Sequence, residues 1–77
     1  MDENKNQNPQ LLSAKALARM LCLSKRSIFR LNSSGKIPAP LRVGGAVRWS
    51  AEECAEWLAA GAPDRKTWEQ MKAGKND

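Results

Sequence analysis

Ser24-Lys25-Arg26-Ser27-Ile28-Phe29-Arg30-Leu31-Asn32-Ser33-Ser34-Gly35 is the stretch that decides the fold. Ser24 is a good N-cap, because its hydroxyl can take an amide N–H from the first helical turn. Lys25 to Ser34 then reads as a helix, and Gly35 is the residue expected in the left-handed turn past its end. Ile28 and Leu31 fall on one face. At about 100° per residue, Arg26, Phe29, Arg30 and Ser33 fall on the other, with Lys25 and Ser27 flanking near the start. Such a helix buries its aliphatic side and shows guanidinium groups, hydroxyls and an aromatic ring outward.

Working back from it, Ser13 caps a shorter helix over Ala14–Leu21, with Leu17, Met20 and Leu21 at helical spacing. Cys22 and Leu23 make a brief connection. Two short helices joined by a tight turn, the second one basic, form the helix-turn-helix pattern.

Working forward, Pro38 and Pro40 keep the next link extended. Leu41-Arg42-Val43-Gly44-Gly45-Ala46-Val47-Arg48-Trp49 alternates apolar and basic residues on both sides of a Gly-Gly pair. It reads as a hairpin with a two-residue turn, since glycine tolerates the positive φ such turns need. Leu41, Val43, Val47 and Trp49 are expected inward, with Arg42 and Arg48 projecting together to the other side as a wing. The glycines let the tip approach a partner closely.

Ser50-Ala51-Glu52-Glu53 has the spacing of a capping box and opens a third helix through about Ala60, with Cys54, Trp57 and Leu58 as its buried stripe. Gly61 and Pro63 stop it. Asp64 caps a short fourth helix, with Trp68 and Met71 on one side, ending near Lys72. Ala73 to Asp77 is expected to fray. Residues 1–10 have the composition of a disordered tip without an apolar targeting segment. The expected organisation is therefore a tip (1–10), a winged helix-turn-helix domain (11–60) and a C-terminal extension (61–77). The class is mainly α with a small β-hairpin, in the order helix-helix-hairpin-helix.

Charge sorts along the chain in the same way. Between Leu11 and Trp49 lie Lys15, Arg19, Lys25, Arg26, Arg30, Lys36, Arg42 and Arg48, with no Asp or Glu. That block carries +8, against +5 for the whole 77-residue chain. A block that bars acids suits a polyanion. Histidine is absent, which removes the usual neutral-pH acid–base, and a chain this short leaves little room for an enzyme-sized pocket. Catalysis is not expected. Cys22 and Cys54 are far apart and too few to hold zinc, so no metal or cofactor is expected and both thiols read as buried and structural. No apolar run approaches a membrane span.

The residue types fit duplex recognition. Arginine can bond guanine O6 and N7 together in the major groove, or clamp a phosphate. Ser27, Ser33 and the amides opening the second helix suit phosphate oxygens. Phe29 could meet a thymine methyl or pack partly into the core. Ser13, Lys15, Arg19 and Lys36 are further candidates for phosphate. Trp49 and Trp57 read as core. Trp68 either seals the domain or, with Met71, marks a protein-binding surface.

Leu11 to Ala18, Leu23 to Leu31, Ser34 to Pro38, Leu41 to Gly44, Val47-Arg48-Trp49 and Glu56-Trp57-Leu58, in that order, resemble the small excisionase-like, AlpA-type winged helix-turn-helix proteins, relatives of the MerR DNA-binding domain. The resemblance spans about Leu11 to Ala60. It implies a cytoplasmic, nucleoid-associated protein of a bacterial mobile element. Such proteins bind DNA near an integrase's attachment region to favour excision, or regulate transcription. By position, base reading falls to Lys25, Arg26, Ser27, Phe29 and Arg30, with wing contacts from Arg42, Gly44, Gly45 and Arg48. A single domain of this size would bind weakly, so dimers or cooperative binding are expected. The alternative is an adaptor that docks an integrase or regulator through Trp68 and Met71. One departure stands out: the family commonly has glycine where this chain has Cys22.

Overall fold

A computed structural model describes residues 10–75. The order is β1 (Leu11–Leu12), α1 (Ala14–Leu21), α2 (Lys25–Ser33), β2 (Leu41–Val43), β3 (Ala46–Ser50), α3 (Ala51–Ala59) and α4 (Arg65–Lys75). This is the mainly helical architecture of a small winged helix-turn-helix, with its hairpin at β2–β3.

The helix starts follow the local chemistry. Ser13, Ser24 and Ser50 each sit extended at an N-cap, and their hydroxyls accept from Ala16, Ser27 and Glu53 at 3.1 Å. Asp64 Oδ1 does the same for Thr67 at 3.0 Å. The ends of α1, α2 and α3 share one device. Leu23, Lys36 and Ala62 donate back five residues to Ala18, Leu31 and Trp57, around a left-handed residue at Cys22, Gly35 or Gly61. Two of those left-handed sites are glycine. The third is Cys22, at φ 60°, where an L side chain costs about 1–2 kcal/mol.

The sheet is antiparallel in the order β1-β3-β2. β1 was not expected, because two residues are too few to show a period. It pairs Leu11 with Ser50 and Leu12 with Trp49, and the Gln10 carbonyl accepts from Ala51. Gln10 is thus held in place, and the rest of the expected tip lies outside the described residues.

Three tryptophans dominate the core. Trp49 is fully buried, and Trp57 and Trp68 nearly so. Burying an indole is worth about 4–6 kcal/mol by area, provided its N–H finds an acceptor. Each does: Trp49 Nε1 donates to the Pro38 carbonyl at 2.9 Å, Trp57 to Pro63 at 2.7 Å, and Trp68 to Glu53 Oε2 at 2.8 Å. Leu12, Leu17, Ile28, Ile37 and Cys54 fill the space between them.

Five expectations are corrected. Leu41 and Val43 are half exposed, at 50% and 52%, and do not face inward. The register explains why. A two-residue turn pairs Val43 with Ala46, Arg42 with Val47 and Leu41 with Arg48, so odd positions oppose even ones. Opposed residues share a face. Arg42 therefore lies on the face of Val47 and Trp49, and Arg48 on the other with Leu41 and Val43. The two arginines do not project together. Cys22 is exposed, because its helix ends there, and only Cys54 is a buried thiol. Leu58 is also exposed, since α3 turns Cys54 and Trp57 to the core. Finally, α4 runs on to Lys75 where fraying was expected from Ala73.

Candidate nucleic-acid interface

α2 turns Ile28 into the core at zero exposure and half-buries Leu31. Lys25, Arg26, Phe29, Arg30 and Ser33 are all exposed, and Ser27 is half-buried. Phe29 is 43% exposed. Ser24 Oγ donates to Ser27 Oγ at 3.0 Å, and Arg30 Nη2 reaches the same oxygen at 3.4 Å. These contacts line up the hydroxyls and one guanidinium along the start of the helix. The Ser24 cap takes the amides of Ser27 and Ile28, through its hydroxyl and carbonyl respectively. The amides of Lys25 and Arg26 precede the first intrahelical bond and face outward from the helix end.

The first turn of α2 contains no acid. It holds two cations at the positive end of the helix dipole, where each costs about 0.3–1 kcal/mol of stability. That cost becomes a gain when an anion docks.

On the hairpin, Gly44 and Gly45 adopt φ 58° and 91°, and a Cβ added at either would meet nothing within 4 Å. The tip is therefore open as well as tightly turned. Arg42 is exposed. Arg48 is half-buried and spends one donor on the Val47 carbonyl at 2.8 Å. Lys15, Arg19 and Lys36 are exposed, whereas Ser13 is half-buried with its oxygen used for the cap.

The other end of the chain is chemically different. Both ion pairs among the described residues belong to Lys72, with Glu53 and with Glu69. Glu53 does not close the capping box by reaching back to Ser50. Its Oε2 accepts from Trp68 and Lys72 instead, so it holds α4 onto α3. Partial burial raises the Glu53 carboxyl, but the bonds from Lys72 and Trp68 outweigh it and leave it below its ordinary value. The Glu53 bond raises Lys72 in turn. Burial, then the Glu53 charge, pushes the Cys54 thiol up to about 11, which leaves it protonated and unreactive at neutral pH.

Of the two uses open for Trp68, the structure shows the first: it seals the domain at 3% exposure. Met71 stays 43% exposed, beside a groove it shares with Glu56, Ala60, Trp68 and Lys72. Arg65 was missed altogether. Its guanidinium bonds to Ile37 in the α2–β2 link and to Asn32 near the end of α2, 28 and 33 residues away, and nothing local in the sequence signals that. Among the described residues there is no metal-holding cluster, and no helix is long and apolar enough to cross a membrane.

No curated protein and no solved structure matches the chain. The profile of the family described as Prophage CP4-57 regulatory protein (AlpA) matches residues 10–61. The match begins at the residue that pins β1 beside α3, takes in both helices of the helix-turn-helix and the hairpin, and stops at the left-handed glycine after α3. It covers well over half of the chain, and on that ground the protein belongs to the AlpA family of prophage regulatory proteins.

Proposed function

We propose that this protein binds double-stranded DNA in a sequence-specific way, as an excisionase or a transcriptional regulator of a prophage or related mobile element. The observation that carries the reading is the exposed face of α2: Lys25, Arg26, Phe29, Arg30 and Ser33 beside an acid-free first turn. Arg26 and Arg30 read base edges in the major groove, and Phe29 meets a thymine methyl or a sugar. The first-turn amides, with Lys25 and Ser27, hold a phosphate. Arg42 and the Gly44-Gly45 tip lie along the backbone or in the minor groove, with Arg48 approaching from the hairpin's other face. Lys15, Arg19 and Lys36 add phosphate contacts, and Ser13 offers its hydroxyl hydrogen. Weak binding by one domain favours cooperative assembly of copies on adjacent sites.

Titration of a labelled operator duplex at several salt concentrations tests this. With about four phosphate contacts, log K falls against log[salt] with a slope of roughly −3.6. Arg30→Ala relaxes sequence preference, whereas Arg42→Ala weakens all duplexes alike. Salt-independent binding, or none to any duplex, overturns the reading. An excision assay with the cognate integrase, run beside a promoter reporter, separates the two roles.

A second reading, an adaptor for an integrase or regulator, rests on Met71 and its groove rather than on Trp68, which is buried.

A further inference from the structure

Arg65 opens α4, past the end of the family match, and turns back over the segment joining α2 to the hairpin. Its backbone N–H donates to the Gly35 carbonyl at 2.9 Å. Its Nε donates to the Ile37 carbonyl at 3.0 Å, and its Nη2 to Asn32 Oδ1 at 2.7 Å and the Asn32 carbonyl at 3.3 Å. All of these acceptors are neutral, and no carboxylate is among them. They lie at the carbonyl end of α2, where a cation is favoured by the helix dipole. Trp49 Nε1 holds the adjoining Pro38 carbonyl, and Ile37 and Pro38 are both buried.

We propose that Arg65 is a positioning residue for DNA binding: it fixes the angle between α2 and the β2–β3 hairpin and touches no DNA itself. This rests on the DNA-binding reading above. An arginine in a basic protein is ordinarily assigned to phosphate, but here the fork is half-buried and spent on Asn32 of α2 and Ile37 of the link. Its planar, two-pronged geometry matters, because one group must reach Ile37 and Asn32 together. A lysine keeps the charge but supplies only a point donor.

The test compares full-length wild type with Arg65→Ala, Arg65→Lys and Asn32→Ala. Each is titrated with the wild-type operator duplex across a salt series, well below its melting temperature. Positioning predicts that both Arg65 variants bind about tenfold more weakly, roughly the loss of one base-edge contact. It also predicts that the salt slope is unchanged and that lysine does not rescue. Asn32→Ala shifts affinity in the same direction, by less, and carries the test with Arg65→Lys if Arg65→Ala does not fold. Unchanged affinity of the folded variants overturns the proposal and leaves Arg65 a stabilising contact only. A slope flattened by about 0.9 in Arg65→Ala and restored by lysine overturns it in favour of a phosphate contact. Failure of the wild type to bind any duplex is a separate outcome, which overturns the DNA-binding reading and this inference with it.

Discussion

α2 and α3 begin with the same cap and opposite charges. Ser24 and Ser50 each accept from the amide three residues on, at the same distance of 3.1 Å. After Ser24 come Lys25 and Arg26, and after Ser50 come Glu52 and Glu53. α3 obeys the rule that acids suit the positive end of a helix, and α2 breaks it. α4 also opens on cations, Arg65 and Lys66, but Arg65 is bonded to Ile37 and Asn32, whereas Lys25 and Arg26 of α2 are both exposed. The proposed DNA-binding reading supplies a reason for cations left exposed there. The contrast extends to the two parts of the chain. α3 and α4 interlock through Glu53, Trp68 and Lys72, while α2 leaves its cations facing solvent.

The most severe way to break this comparison is Trp68→Ala. Removing a nearly fully buried indole costs about 3–5 kcal/mol, enough to unfold much of so small a domain. Thermal melting shows whether α4 is integral to the fold, and a loss under about 1 kcal/mol would make it an appendage. Next in size is charge reversal at α2, Lys25→Glu with Arg26→Glu. Duplex affinity drops at least about 100-fold, while the melting temperature rises by a few degrees as the helix end gains acids. Opposite signs for binding and stability are the diagnostic result. If stability falls as well, the cations are structural and the contrast with α3 is misread.

Cys22→Gly is a smaller change. It relieves the left-handed strain but loosens the unfolded chain, for a net gain of up to about 1 kcal/mol and a rise of roughly 4–8 °C in melting temperature at most. A lower melting temperature would show that the cysteine side chain contributes more than its strain costs. The mildest perturbation is pH. Glu53 is held below its ordinary value, so its contribution is full above the ordinary carboxylate pKa of about 4.3 and is lost as pH falls through the lowered value. Lys72 is held above its ordinary value, so its contribution fades only above about pH 10. Acidification of wild type therefore weakens α4 docking, whereas Glu53→Gln abolishes most of that dependence.

What the sequence made legible was local. Caps at Ser13, Ser24 and Ser50, the turn at Gly35 and the outward face of α2 all follow from residues within four positions of one another. What it hid was set by distance or by parity. Arg65 meets Asn32 across the whole hairpin, and Glu53 leaves its expected cap for a partner 15 residues on. The hairpin faces were misread although the signal was present. A two-residue turn pairs odd positions with even, so alternation on both arms cannot place Leu41 and Val47 on one side. Trp68 stayed ambiguous because an indole serves packing and recognition equally well, and only its burial decides.

The tethered link between α2 and the hairpin has one last consequence. With Ile37 and Pro38 buried, and with Arg65 and Trp49 holding their two carbonyls, that segment has little slack. If Arg65 fixes their angle as proposed, helix and ribbon form a caliper of fixed opening. Any mismatch between that opening and a groove must be absorbed by the nucleic acid, as bending or widening. Pliable base steps would then be favoured even at positions no side chain reaches.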